Sequence, residues 1–160
     1  MRPGRDSDGD DIAALIARIF AEYEGCFFDR AEFPELKAPA SHYASKGGRL
    51  WVAEQDGAVV ATTAVFVNRE PDAFEIGKVY VAAQLRGSGL AQKLLSLALT
   101  EARERKGREM VLYSDTRFTR AHAFYERLGF VRLPGVRLLH DISHTLEFGF
   151  RLPLKAGDAV

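Results

Sequence analysis

The run Gln84-Leu85-Arg86-Gly87-Ser88-Gly89 constrains this chain more than any other. Ahead of it, Ala73 to Ala82 reads as a strand. Behind it, Leu90, Ala91, Leu94, Leu95, Ala98 and Ala102 recur at helical spacing, with charged residues elsewhere. A strand that enters a glycine turn and leaves as a helix gathers unpaired backbone amides and the positive end of the helix dipole around one point. Such a point attracts phosphate. Gly87 and Gly89 open φ values closed to other residues, and a side chain at either position is expected to hinder the anion. The dinucleotide fingerprint needs a third glycine and an acid about 20 residues on, and the P-loop needs Gly-Lys-Ser/Thr. Neither is present, so another phosphate ligand is expected.

The remaining pattern predicts one α/β domain spanning 1-160, with 47% hydrophobic residues to build its core. Ile12, Leu15, Ile16, Ile19, Phe20 and Tyr23 predict a first helix, with Asp8 or Asp10 capping its amides. From Gly25 to Gly48 the periodicity fades into loop with one short helix. Arg49–Gln55 and Ala58–Asn68 read as a hairpin around Asp56-Gly57. Gly107 is expected to close the long helix. Met110–Ser114 predicts a strand, and Ala121, Phe124, Tyr125 and Leu128 a second amphipathic helix ended by Gly129. Phe130–Leu133 and Thr145–Leu152 predict two more strands, separated by a loop from Pro134 to His144.

Two motifs together carry a resemblance. Gln84-x-x-Gly87-x-Gly89 resembles the coenzyme A signature of the GNAT superfamily of acetyl-CoA-dependent N-acetyltransferases. Ala121-x-x-x-Tyr125-x-x-x-Gly129-Phe130 resembles that family's helix-to-strand motif near the thiol. The resemblance implies a mixed, mostly antiparallel central sheet with helices on both faces and splayed central strands. Amides from Arg86 through Gly87, Ser88, Gly89 and Leu90 to Ala91 would hold the pyrophosphate of acetyl-CoA. The strand carrying Val79 and Val81 and the strand ending near Ser114 would separate, leaving backbone groups for the pantetheine arm. Phe118 stands where the family commonly has Asn, and Ala83 where proline is frequent.

Transfer of an acetyl group to an amine needs a deprotonated acceptor, a stabilised carbonyl oxygen and a proton for the leaving thiolate. A tyrosine beside the sulfur can deliver that proton without being ionised itself at neutral pH, which suggests Tyr125. Its bland alternative is a core tyrosine on an apolar helix face. For the base, the resemblance implies Glu75, which strand alternation places on a face with Gly77, Val79 and Val81. A solvated glutamate at a strand start is the alternative. Oxyanion stabilisation would fall to an amide near Val81, and Arg86, Arg117 and Arg120 are candidates for the outer phosphates.

Lys plus Arg and Asp plus Glu both number 22, so no net field draws the chain to nucleic acid or to a membrane surface. No stretch approaches the roughly 20 apolar residues of a membrane span, and Met1 to Asp11 lacks an apolar h-region. A single cysteine, Cys26, excludes an internal disulfide and fits a cytoplasmic location. Direct transfer is expected, because Cys26 lies outside the recognised motifs and no Ser-His-Asp set presents itself. His140 and His144 give no metal site, but with Asp141 and Ser143 they lie in a polar loop that suits the acceptor side. Glu22, Glu24, Asp29, Glu32 and Glu35 could receive a cationic acceptor, or form a solvated stretch. The expectation is an N-acetyltransferase acting on a primary amine of an unidentified small molecule or peptide, with no metal and a homodimer implied by the resemblance. The alternative is a non-catalytic acyl-CoA-binding or sensing module.

Overall fold

A computed structural model describes residues 1–155. Its sheet runs β1 (Arg2–Pro3), β2 (Arg49–Gln55), β3 (Ala58–Val67), β4 (Ala73–Val81), β5 (Glu109–Asp115), β8 (Leu146–Pro153) and β6 (Val131–Arg132), with β7 (Arg137–Leu138) also on β8. Every pair is antiparallel except β4 with β5. The β2–β3 hairpin turns as expected, with Asp56 at φ 52 and Gly57 at φ 79.

Helices α1 (Gly9–Phe20) and α2 (Pro39–Ser45) cover one face, and α3 (Leu90–Glu104) and α4 (Thr119–Arg127) the other. Cross-strand partners share a face, which fixes the assignment. Phe66, opposite Glu75, lies against Tyr43 of α2, and Tyr80, opposite Thr62, against Phe20 of α1. On the reverse side, Ile76 is level with Leu112, which faces Phe150, and Phe150 packs tilted against His122 of α4. Ile12, Leu15 and Ile16 from α1 are wholly buried, as are Leu95 and Ala98 from α3. The apolar stripes read from the sequence are therefore the packing faces.

Several local expectations change. Asp8 does not cap α1. Its carboxylate accepts from the Arg2 guanidinium at 2.7 and 2.9 Å and from the Arg5 amide at 2.7 Å, tying the edge strand β1 to the helix start. α3 is closed by Lys106 at φ 60, one residue ahead of Gly107. The strand expected over Phe130–Leu133 shrinks to Val131–Arg132, and the expected loop after it contains β7. Both short strands lack apolar alternation because they lie along β8 at the sheet edge.

The connection between α1 and α2 is built from two 3-10 turns, Arg30–Glu32 and Pro34–Lys37. The second is seated on α1: Leu36 is buried, and its carbonyl comes so close to Gly9 that a Cβ there would lie 1.9 Å from the oxygen. Gly9→Ala should therefore cost about 1–3 kcal/mol of stability through overpacking. Urea unfolding followed by circular dichroism reads this as a lowered midpoint with unchanged slope.

Candidate active site

β4 and β5 pair only from Ala73↔Glu109 to Ile76↔Leu112, although β4 continues to Val81 and β5 to Asp115. Past that point the two strands separate. β3 and β4 also shift register between Thr62 and Ala64, and Lys78 takes φ 55, which marks a β-bulge at the place where β4 leaves β5. The bulge corrects one expectation. Glu75 and Gly77 share their face with Tyr80, while Val81 falls on the opposite face with Ile76.

Hydrogen-bond parity shows which backbone groups face the opening. The Ala82 amide donates to the Val60 carbonyl, so the next pair, Ala61↔Val81, is a non-bonded one. The N–H and C=O of Val81 therefore point away from β3, toward the gap. On β5 the Thr116 amide donates to Leu146, which by the same parity commits Ser114 to β8. Tyr113, and not Ser114, turns its backbone groups toward β4; the Asp115 carbonyl accepts from the Phe118 amide and lies 2.9 Å from His122 Nε2.

A cleft of about 830 Å³ lies where the strands part, between β4, the start of α3 and α4. That is the volume range of small-molecule sites, ~300–1,000 Å³. Tyr125, Val79, Val81, Arg86 and Arg120 line it, with Gly87, Gly89, Leu90 and Ala91 at the turn. Ser88 does not line it; its hydroxyl donates to the Leu85 carbonyl at 2.6 Å. Ser114 and Glu75 also lie outside the lining.

At the turn, Gly87 and Gly89 have φ 80 and 82. A Cβ on either would meet no atom within 4 Å, so backbone conformation rather than crowding is what favours glycine here. The amides of Gly87, Gly89, Ala91 and Gln92 have no hydrogen-bond partner among the described residues, and Leu90 reaches only the Ser88 hydroxyl at 3.4 Å. These free amides lie at the positive end of a 15-residue helix, an arrangement chemically suited to an anion.

The arginines divide. Arg86 is held by Glu22 through two bonds of 2.5 and 2.9 Å, and Arg117 by Asp115 and the Ser143 carbonyl at 2.9 and 2.7 Å. Arg120 is exposed, lines the cleft, and makes no ion pair among the described residues.

Tyr125 is buried among Phe124, Phe130 and Phe150 and reaches the cleft. Burial pushes its hydroxyl pKa well above that of an ordinary tyrosine. Phe118 packs on Tyr23 at 4.8 Å and Phe20 at 6.2 Å, giving the cleft an aromatic wall where a side-chain amide was missing. Glu75 lies on the α1/α2 face, level with Val111 and so on the same side as Tyr113 and Glu147. Desolvation raises its pKa; Arg137 opposes the shift and Glu147 reinforces it. Arg137 bonds Glu147 at 2.7 and 3.0 Å and sits 3.7 Å from the Tyr113 ring centre.

Other sequence candidates are spent on structure. Asp141 accepts from the amide and hydroxyl of Thr145, and Ser143 bridges the amide and carbonyl of Phe27. Glu32 accepts from the Ile142 amide, and Glu35 pairs with Lys78. The acidic stretch is thus largely internal ion pairs and caps. His140 and His144 are exposed, and no cluster able to hold a metal exists among the described residues. Cys26 is buried, and burial lifts its pKa to about 11. Sequence reasoning missed Tyr80 and Ile19 as cleft residues, because each sits in a pattern that also reads as core.

The family model for the acetyltransferase (GNAT) family matches residues 16–130. This chain belongs to the GNAT acetyltransferase family. It is 34% identical over 128 residues to a protein of Escherichia coli K12 called uncharacterized N-acetyltransferase YjgM, covering 77% of this chain and 76% of that protein. A GNAT-family acetyltransferase structure from Staphylococcus aureus Mu50 superposes with TM-score 0.78 at 22% identity, over 93% of this chain and 94% of the other. The Salmonella typhimurium yncA structure, solved with acetyl-CoA, gives TM-score 0.72 at 19% identity over 99% and 95%. The chain is accordingly an acyl-CoA-dependent N-acetyltransferase with the mixed, open sheet expected of it. No helix among the described residues is long and apolar enough to cross a membrane.

The turn provides a test with an internal control. Gly89→Ala forces a left-handed alanine and should cost about 1–2 kcal/mol, as should Gly57→Ala at φ 79 in the β2–β3 hairpin. Calorimetric titration with coenzyme A should show weakened binding for Gly89→Ala and unchanged binding for Gly57→Ala.

Proposed function

We propose that this acetyltransferase transfers an acetyl group directly from acetyl-CoA to a primary amine, with donor and acceptor meeting through the gap between β4 and β5. The observation that carries the reading is the coincidence of three features around one cleft: the free amides of the α3 turn, the Val81 backbone facing the gap, and Tyr125 of α4. The diphosphate of coenzyme A lies on the amides of Gly87, Gly89 and Ala91, with Arg120 beside it. The pantetheine arm runs along the open edge of β4 past Val79 and Val81, against the aromatic wall of Tyr23 and Phe118.

The acceptor enters from the α1/α2 face, where Glu75 lies. Glu75 takes a proton from the acceptor ammonium through water, leaving a neutral amine. The amine nitrogen attacks the thioester carbon, and the Val81 amide stabilises the oxyanion. As the tetrahedral centre collapses, the C–S bond breaks and the sulfur takes the Tyr125 proton, releasing coenzyme A as free thiol. The new amide nitrogen gives up its extra proton to water, and Tyr125 and Glu75 return to their starting states by proton exchange with solvent. Cys26 takes no part: its thiol remains protonated at neutral pH, so it supplies no thiolate nucleophile.

Two variants test the roles once an amine panel, monitored by thiol release, has supplied an acceptor. Tyr125→Phe should lower kcat by about 10²-fold or more while coenzyme A affinity changes little. Wild-type kcat/KM should rise with pH through a titration lying above the ordinary glutamate range, because the base works only when ionised and burial raises its pKa. Glu75→Gln should lower activity and flatten that acid limb; an unchanged pH profile would reassign the base. Coenzyme A binding with no turnover on any amine would instead favour a sensing module.

A further inference from the structure

Lys78 stands in a conformation that a lysine rarely adopts. At φ 55 it is left-handed, which for a residue with a Cβ costs on the order of 1–2 kcal/mol. The residue sits in the bulge of β4, two residues beyond the last β4–β5 pair, Ile76↔Leu112. Across from it on β3 lies Thr63, between the Thr62↔Tyr80 and Ala64↔Gly77 pairs. Its hydroxyl is buried with no partner among the described residues. The bulge is thus strained on one strand and leaves a polar group unsatisfied on the other. Something outside the β3–β4 ladder must hold it.

The side chain of Lys78 identifies the holder. Its Nζ lies 2.5 Å from Glu35 Oε1, with only 16% and 14% of the two side chains exposed, and 5.3 Å from the centre of the Phe33 ring. An ion pair this sheltered is screened less by solvent than a surface pair. Glu35 is itself a firm anchor. It belongs to the Pro34–Lys37 turn, whose Leu36 is buried, whose Leu36 carbonyl accepts from Arg30, and which is pressed onto Gly9 of α1. Phe33 is stacked on Phe28 at 5.2 Å and tilted against Phe20 of α1. The lysine ammonium is therefore tethered to the first helix, not to a free loop.

What the tether controls follows from the register. Before the bulge, Glu75 and Gly77 direct their backbone groups to β3; after it, Tyr80 does so, which leaves those of Val81 facing the gap. Straightening the bulge into a regular ladder, with every residue kept, would shift this parity by one and turn the Val81 amide back to β3. We propose that Glu35 and Lys78 are positioning residues for acyl transfer, their ion pair fixing the left-handed bulge that turns the Val81 amide toward the thioester carbonyl. The assignment rests on the reading above, that acetyl-CoA lies along the open edge of β4. Neither residue touches the substrate; both act through the backbone.

The test reads the thioester itself and needs no acceptor. Acetyl-CoA carrying ¹³C at the carbonyl is bound to the full chain and its ¹³C resonance recorded, with coenzyme A affinity measured separately by calorimetry. In the wild type the bound carbonyl should lie downfield of free acetyl-CoA, as hydrogen bonding polarises it. Glu35→Gln and Lys78→Met should both lose more than about half of that displacement, with coenzyme A affinity within about twofold of wild type, because the diphosphate cradle is untouched. Lys78→Gly should retain most of it, since glycine takes the positive φ without steric cost and needs no tether. Wild-type resonances in Glu35→Gln and Lys78→Met would overturn the proposal. So would a Lys78→Gly resonance displaced as far as that of Lys78→Met, which would mean the carbonyl senses the charge and not the backbone conformation. Thermal melting of each variant confirms that the comparison is between folded proteins. A wild type that binds no acetyl-CoA would show first in the calorimetry, and would overturn the assignment together with the reading on which it rests.

Discussion

The interaction on which the rest of this structure depends is a hydrogen-bond ladder that stops. β4 and β5 are neighbours in the only parallel pair among the described strands, and they stay paired for four residues before parting. A central pair that parts exposes main-chain donors and acceptors in the middle of a sheet, and each such group left without a partner costs about 1–3 kcal/mol. The separation is sustainable only because the gap is open to a cleft, where water or a ligand can reach the groups. The fold around it removes the alternative of closing up: α1 and Tyr80 are packed on one side of β4, and the start of α3 follows from its end. The gap is therefore a property of the whole packing, and not of one flexible strand.

The same strand performs two tasks because of its length. Val81, whose backbone faces the gap, is only eight residues before Gly89, where α3 takes over with its free amides. A ligand with an anionic group at one end and an amide-bearing arm at the other can bind both features at once, in one orientation. The tilted aromatic cluster of Phe20, Tyr23 and Phe118 would exclude water along such an arm. On the proposed reading, recognition of the donor would rest largely on these two backbone features. Arg86, the obvious side-chain candidate, is instead spent on holding Glu22 at the end of α1.

Much of this was legible in the sequence because it depends on local patterns. Helical spacing marked α1, α3 and α4, Asp56-Gly57 marked the hairpin, and two glycines between a strand and a helix marked the cradle. The splayed strands came through family resemblance, since nothing in the composition of Met110–Ser114 announces a missing neighbour. The bulge was illegible. A lysine carries no signal for positive φ, and its conformation is set by Glu35, 43 residues away in sequence and brought close only by the packing of the Pro34–Lys37 turn. From that one miss followed the wrong face for Val81 relative to Glu75. Ser114 was misplaced for a related reason, because hydrogen-bond parity depends on the register with β8, which Thr145–Leu152 alone does not fix. The acidic stretch from Glu22 to Glu35 misled in the opposite direction: its charges look available, yet their partners, Arg86, Lys78 and the Ile142 amide, are distant in sequence.

Burial acts in the same direction on the two groups proposed for proton transfer, with opposite consequences: it strengthens the base and weakens the acid. Tyr125 and Glu75 both have raised pKa values, and in both desolvation is the leading cause. For the phenol, a raised pKa keeps the proton in place at neutral pH but makes it a weaker acid, so burial opposes the transfer to sulfur and the developing charge on the leaving group must offset it. For the carboxylate, a raised pKa means a stronger base, provided the group still ionises. That condition is where the surroundings differ. Tyr125 is enclosed by aromatic rings with no charge to oppose the shift, whereas Glu75 feels Arg137, which favours its ionised form. Arg137 is in turn fixed by two bonds to Glu147 and by its seat over Tyr113, so the opposing charge has a defined place. The separation of acid and base onto the two faces of the sheet thus makes chemical sense. In the proposed mechanism the gap is what lets both act on one thioester, while the sheet keeps their two environments apart.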